Sequence, residues 1–300
     1  MVAYVACADR KVYALDLETG AVLAVSDPIE GIGRPTSIAL DRETSRLYVG
    51  SERDRGQNDF YPLVALDTDK PFEIVGRYTL DPNRGSIDES VLNPNSYALY
   101  QVVFSAATRR LYFGYTAPGH GLSTVFDIGS GQIVGESEVG ISEKSTFSPD
   151  GSKIAEIFPS GSRTRNGETT TWAGGVVVKD IATGEAVSRT ALANNRGLQP
   201  PWKKLSSPFV YLSRPDDTLQ VYERDSGRLL ASIDADQATG LLPTGGEPVF
   251  VDELNEVVLP MMGAGSESDM KGFLVLISPT SGDILKTIEV GPRPTNVVVR

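Results

Sequence analysis

The sequence predicts an all-β chain, a six-bladed β-propeller of four-stranded antiparallel blades. Three observations predict it. A strand, a tight turn and a second strand recur six times along 300 residues; another strand pair recurs between the copies; and 30 glycines with 19 prolines supply the turns that many short elements need.

The six copies of the first unit are ALDLETGAVLAV (14–25), ALDTDKPFEIVG (65–76), VFDIGSGQIVGE (125–136), VKDIATGEAVSR (178–189), VYERDSGRLLAS (221–232) and LISPTSGDILKT (276–287). With Gly20, Lys70, Gly131, Gly184, Gly227 and Gly282 as markers, they stand 50, 61, 53, 43 and 55 residues apart, the period of propeller blades. The second unit joins an apolar strand to an aromatic-rich one through a short polar turn. Its copies are RPTSIALDRETSRLYVGS (34–51), YALYQVVFSAATRRLYFGY (97–115), EPVFVDELNEVVLPM (247–261) and, less closely, KSTFSPDGSKIAEIF (144–158). Each repeat therefore holds four strands. Residues 2–25 supply only three, while RPTNVVVR (293–300) copies RPTSIALD and is left over; it is expected to complete the first blade and close the ring, leaving no open edge between first and last blades. One domain over 1–300 follows.

These segments, above all LISPTSGDILKTIEVGPRPTNVVV (276–299) and RPTSIALDRETSRLYVGS, resemble the YVTN-type β-propeller repeats, related to the heavy-chain propellers of quinoprotein amine dehydrogenases. The resemblance covers essentially the whole chain. It implies the fold and leaves function open among surface proteins, dehydrogenase subunits, lyases and lactonases. Six blades depart from that family's usual seven. Six is the number in strictosidine-synthase-like and gluconolactonase-like enzymes, although blade count carries no chemistry by itself. A dehydrogenase heavy-chain role, implied by the resemblance alone, would need a partner chain to bring the cysteine-derived quinone.

Composition removes several function classes. A net charge of −11 argues against nucleic acid as partner. The most apolar run, FLVLI (273–277), is far too short to span a membrane. One cysteine, Cys7, and one histidine, His120, exclude an internal disulfide and any cysteine or multi-histidine metal cluster. The first twenty residues alternate like a strand and lack the zones of a signal peptide, so a cytoplasmic location is expected, or a secreted or periplasmic one if a leader has been removed.

Loop lengths choose a face. In a four-stranded meander the first and third turns of each blade emerge together, and here they are short: DRETS, SAATR, PDGS, DELN and the glycine turns. The opposite face receives the long stretches 51–61, 81–97, 159–175, 191–201, 234–246 and 262–272, where a binding site is expected. Arg34-Pro35, Glu247-Pro248 and Arg293-Pro294 open the inner strands of three consecutive blades, two, six and one, at the mouth of the central channel. The two arginines suit forked binding of a carboxylate or other anion, with Glu247 as a base or ligand. The same residues equally fit ion pairs that fasten neighbouring blades.

His120, in TAPGHGLS (116–123), reads as a loop residue of that face, either an acid–base group or a solvated histidine. No G-x-S-x-G elbow occurs. Trp172, Trp202, Tyr61 and Tyr97 lie in or beside the long loops, as the apolar wall of a small-molecule pocket or as loop anchors. Met261 and Met262 read as packing. No metal site is expected. Calcium remains a minor option at DPNRGSIDE (81–89), which lacks the full calcium-loop spacing, and solvated acidity explains that stretch as well.

Two functions from different classes follow. The first is a cofactor-independent enzyme acting on a small organic, anionic substrate at the channel mouth by lyase, cyclase or lactone-hydrolase chemistry, with Glu247 or His120 moving the proton. The second is a non-catalytic scaffold that binds a protein on the long-loop face or serves as a subunit of a larger assembly.

Overall fold

Alternation along β1 (Val2–Cys7) explains how the chain packs. In a computed structural model, Tyr4 and Ala6 join a core with residues of the sheet on one side, while Ala3, Val5 and Cys7 join a second core with the sheet on the other. Both faces of this strand are buried, so it reads as continuous apolar sequence. The structure describes residues 1–52, 63–78, 98–117, 120–130, 132–138, 144–147, 153–158, 161–165, 168–172, 175–180, 183, 185–191, 209–213, 218–223, 229–234, 239–244, 248–263 and 270–300.

After β1 come β2 (Val12–Asp16) and β3 (Val22–Val25). The second sheet is β4 (Pro35–Asp41), β5 (Arg46–Ser51), β6 (Leu63–Asp67) and β7 (Glu73–Tyr78). The third is β8 (Ala98–Ser105), β9 (Arg110–Ala117), β10 (His120–Asp127) and β11 (Gln132–Glu138). The fourth begins with β12 (Lys144–Phe147) and β13 (Lys153–Phe158), is interrupted by a separate hairpin of β14 (Gly161–Arg165) and β15 (Glu168–Trp172), and resumes with β16 (Gly175–Asp180) and β17 (Ala186–Ala191). The fifth shows β18 (Phe209–Ser213), β19 (Thr218–Glu223) and β20 (Leu229–Asp234). In the sixth, β21 (Leu242–Pro243) and β22 (Val249–Val251) both pair with β23 (Glu256–Met262), followed by β24 (Gly272–Ile277) and β25 (Ile284–Val290). The last strand, β26 (Pro294–Val299), pairs antiparallel with β1, giving the order β26-β1-β2-β3. The leftover RPTNVVVR does complete the first sheet.

Among the described residues all pairings are antiparallel, and the sheets stack face to face with apolar layers between them. The described contacts run from the fifth sheet through the sixth, first, second and third to the fourth, with β26 touching β4, β4 touching β8 and β8 touching β12 along the inner edge. Ser37 on β4, 1% exposed, ties two inner strands together by accepting from the Val102 N–H at 2.8 Å. The fold is a β-propeller.

The glycine turns owe as much to aspartate. Asp16, Asp67, Asp127 and Asp180 each end the third strand of a sheet, and each carboxylate accepts backbone N–H groups of the turn that follows: Glu18 at 2.9 Å, Asp69 at 2.9 Å, Ser130 at 2.7 Å and Thr183 at 2.9 Å. Ser278 does the same in the sixth sheet. Gly20 and Gly282 then take φ of 77° and 78°, as glycine does without cost. In the second sheet the turn is one residue longer, and Phe72 rather than Lys70 adopts the left-handed conformation.

Two expectations change in detail. The stretch 159–175 is no irregular loop: β14 and β15 pair from Gly161↔Trp172 to Arg165↔Glu168. A partial signal was present in Asn166-Gly167, a dipeptide favoured in two-residue hairpin turns, although its flanks are polar rather than alternating apolar. His120 is the first residue of β10, paired with Ala117, rather than a loop residue. The connection there spans only 118–119, so the elaboration of that face is uneven.

Candidate functional site

The site expected at the channel mouth is built from strand starts. Pro35 opens β4 and Pro294 opens β26, positions where a missing N–H is tolerated. The two strands touch, and β22, which begins just after Pro248, touches β26. The starts of three neighbouring inner strands therefore lie side by side in the order anticipated from register. Arg34 and Arg293 stand immediately before two of them; Glu247 lies outside the described residues.

Arg34 is held twice by one neighbour. Its C=O accepts from the Glu52 N–H at 3.1 Å, and its Nε lies 2.8 Å from Glu52 Oε1. The two terminal nitrogens of the guanidinium carry further N–H donors beyond this contact. The pair is 36% and 29% exposed, so it contributes little to stability; about 0–1 kcal/mol is usual for such pairs.

Arg293 differs from its counterpart in backbone. Its φ is 43°, whereas Arg34, before an equivalent proline, keeps a negative φ. Five other non-glycine residues with positive φ, Arg10, Ser45, Phe72, Arg109 and Asn255, sit in hairpin turns where such a residue has a repeat-wide role. Arg293 alone among the described non-glycine residues holds that conformation in a crossover, and it does so before a proline, which itself favours extended backbone in the preceding residue. A strained position of this kind costs about 1–3 kcal/mol and persists only where its surroundings over-determine it.

The surroundings do so. A Cβ on Gly291 would lie 2.2 Å from the Tyr13 ring, and one on Gly272 would lie 2.1 Å from the Gly291 carbonyl oxygen and 2.5 Å from Pro294 Cδ. Only glycines allow this approach. Pro292 C=O accepts from Ala8 N–H at 3.0 Å, and Thr295 Oγ1 donates to Ala6 C=O at 3.0 Å. Tyr13 is itself fixed, its hydroxyl donating to Asp9 Oδ2 at 2.7 Å. Burial, with the Asp9 hydrogen bond and charge, pushes the Tyr13 phenol well above its ordinary range. Burial beside Asp9 likewise raises the Cys7 thiol, which makes it a packing group and no nucleophile. Arg10 and Lys11, in the turn after β1, reach the same end, because Cys7 pairs with Pro294. The same end also carries Asp9, the crossover with Asp27 and Glu30, whose Ile29 N–H donates to the Arg10 carbonyl at 2.9 Å, and the Lys271–Glu289 pair at 3.0 Å, so both signs of charge mix there.

The other expected residues are less fully placed. Trp172 closes β15 opposite Gly161, and His120 opens β10; the two belong to different sheets. Trp202, Tyr61, Tyr97 and the stretch 81–89 lie outside the described residues. Asp9 and Tyr13 were missed because their importance depends on Gly291, almost three hundred residues away in sequence. The lone hint was a tyrosine alternating into an otherwise aliphatic strand.

Comparison with known proteins supports the fold and no more. No family model matches the chain, and no curated protein matches it in sequence. Among solved structures, a dihydro-heme d1 dehydrogenase, NirN, in complex with DHE is similar over 99% of this chain and 74% of its own, with a TM-score of 0.50 and 12% identity. That neighbour is a propeller, in agreement with the sheets described above.

Proposed function

We propose that the chain is an enzyme that acts on a small anionic organic molecule held where the inner strands begin, without a redox cofactor, by lyase, cyclase or lactone-hydrolase chemistry. The observation that carries this reading is Arg293, kept in a left-handed conformation before a proline by Gly291, Gly272 and Tyr13, beside the start of the strand that follows Arg34. Strain retained at one member of a repeat, and absent from its equivalent, is characteristic of a functional position. In this reading the two guanidiniums grip the anion through forked hydrogen bonds. Glu247 or His120 transfers the proton, and Trp172, Trp202, Tyr61 and Tyr97 wall the organic part. The protein works in the cytoplasm as a six-bladed propeller of the YVTN type.

The test is a melting-temperature titration with succinate, citrate, benzoate and inorganic phosphate. At least one carboxylate is expected to raise the melting temperature of the native chain and to leave that of Arg34→Ala/Arg293→Ala unmoved. Equal protection of both, or of neither, overturns the anion site. Once a substrate is known, Glu247→Gln with unchanged turnover removes Glu247 from the chemistry.

The scaffold alternative is favoured by a different observation: β3, the outermost strand of the first sheet, exposes Val22, Leu23 and Val25.

A further inference from the structure

The sequence RPT stands where two inner strands open, at 34–36 for β4 and at 293–295 for β26. In both, the proline is paired with the end of the neighbouring strand, Pro35 with Ser51 and Pro294 with Cys7. In both, the threonine hydroxyl donates to the carbonyl one residue before that partner, Thr36 to Gly50 at 3.4 Å and Thr295 to Ala6 at 3.0 Å. The sixth sheet repeats the arrangement at β21: Pro243 is paired with Met261, and Thr244 donates to the Pro260 carbonyl at 3.2 Å. The copy of the motif in that sheet is therefore LPT, 242–244, and the later Glu247-Pro248 is not its counterpart. Leu242 takes the place that Arg293 and Arg34 hold in the next two sheets, and it is 36% exposed, as is the Arg34 side chain.

Alternation fixes the direction in which Leu242 faces. Val258 of β23 and Leu274 of β24 pack against the first sheet. Met262 and Gly272 lie an even number of residues from them on a ladder without a bulge, so they share that face, and Leu242, paired with Met262, shares it too. Gly272 is also where the crossover carrying Arg293 approaches, since a Cβ there would lie 2.5 Å from Pro294 Cδ. Leu242 and the half-buried Met262 thus form an apolar strip in line with that crossover.

We infer that Leu242 is a specificity-determining residue of the anion site proposed above, on which this reading rests, and that the site takes a monocarboxylate with a hydrocarbon body in preference to a di- or tricarboxylate. An arginine at all three equivalent positions would suit a ligand charged on every side. Two arginines and a leucine suit one that is charged at one end and apolar at the other. The guanidiniums hold the carboxylate, and the strip covers the hydrocarbon. A second carboxylate laid against Leu242 and Met262 would lose its water and gain no donor in return.

Melting-temperature titrations of the full chain at constant ionic strength, with benzoate, succinate and citrate, test the preference. Benzoate is expected to bind the native chain about tenfold more tightly than either of the others, the effect of covering one face of the ring. Leu242→Arg restores the residue that the two neighbouring sheets already carry at this position. It should reverse the order, with citrate and succinate overtaking benzoate by about fivefold or more. The native order decides by itself even where the variant does not fold. Succinate or citrate matching benzoate on the native chain, or an unchanged order in a folded Leu242→Arg, overturns the role of Leu242 and leaves the anion site standing. Protection by none of the three overturns both.

Discussion

The two ends of the inner strands differ in what joins them to their neighbours. Where β26 and β4 finish, charged side chains are spent on one another across sheet boundaries. Arg300 reaches from the first sheet to Asp69 Oδ1 at 3.1 Å and Ser45 Oγ at 3.1 Å in the second, and Arg42 returns to the Val299 carbonyl at 2.8 Å. Arg109 of the third sheet pairs with Asp41 at 2.8 Å and Glu43 at 3.2 Å, its guanidinium 5.5 Å from the Phe104 ring. Lys286 of the sixth donates to the carbonyls of Leu17 and Glu18 in the first. Where the same strands begin, Arg34 pairs with Glu52 of its own sheet at 2.8 Å, and Arg293 stands on a crossover backbone clamped by Gly291, Gly272 and Tyr13. One end latches sheet to sheet; the other holds strain in a crossover.

Breaking the latch should have the largest effect. Asp41 is wholly buried; burial pushes its carboxyl up, but the Thr44 hydroxyl, Arg109 and the Thr44 N–H together bring it below the ordinary carboxylate range. Asp41→Ala is expected to cost about 2–3 kcal/mol by denaturant titration, somewhat under the usual loss for breaking a buried pair, because Arg109 can turn to solvent. The pH dependence follows in sign. A carboxyl whose folded value is depressed holds the proton less tightly when folded, so its stabilisation is present above the unfolded value near 4 and is lost as pH falls through the folded one. Asp16, Asp69 and Asp127 are depressed too and add in the same direction. Stability should therefore be flat from about pH 7 to 5 and fall below about pH 4, less steeply in Asp41→Asn. An unchanged acid limb in Asp41→Asn would show that the latch is not where the charge energy resides.

This contrast was only half legible in sequence. The repeats announced the sheets, and the leftover RPTNVVVR announced the pairing of β26 with β1, because strand alternation and turn chemistry are local signals. The order of the strand starts beside Arg34 and Arg293 followed from counting repeats. The latch did not, since Arg109–Asp41 and Arg300–Asp69 join residues 68 and 231 apart that no spacing rule connects. Nor did the aspartates of the turns, hidden in plain view beside the glycines that marked the repeat. The clamp on Arg293 was illegible for a subtler reason: a glycine required by close approach looks the same in sequence as one required by a turn.

The clamp itself predicts the intermediate effect. Gly291→Ala inserts a methyl group 2.2 Å from a ring that Asp9 holds in place, so the crossover must move. Overpacking of this kind costs about 1–3 kcal/mol. Tyr13→Ala in the same chain should recover part of it, because the obstacle is removed along with its support. Additive losses in the double variant, measured by thermal unfolding, would mean that ring and glycine do not act as one clamp.

The smallest expected change is at Arg293 and separates the two ends of the strand most directly. Arg293→Gly keeps the backbone conformation and removes the Cβ that makes it costly, so the folded state gains up to about 1–2 kcal/mol from relieved strain. The unfolded chain also gains freedom, worth roughly 0.4–1 kcal/mol, which offsets part of that gain. The side-chain interaction of Arg293 is lost as well, so a change in melting temperature of no more than a few degrees is expected, together with loss of any protection by carboxylates. Arg300→Gly, at the far end of the same strand, should instead lower the melting temperature, since it removes the contacts to Asp69 and Ser45. If Arg293→Gly were destabilised as Arg300→Gly is, Arg293 would be a latch residue like the others, and the two ends of the strands would not differ in kind.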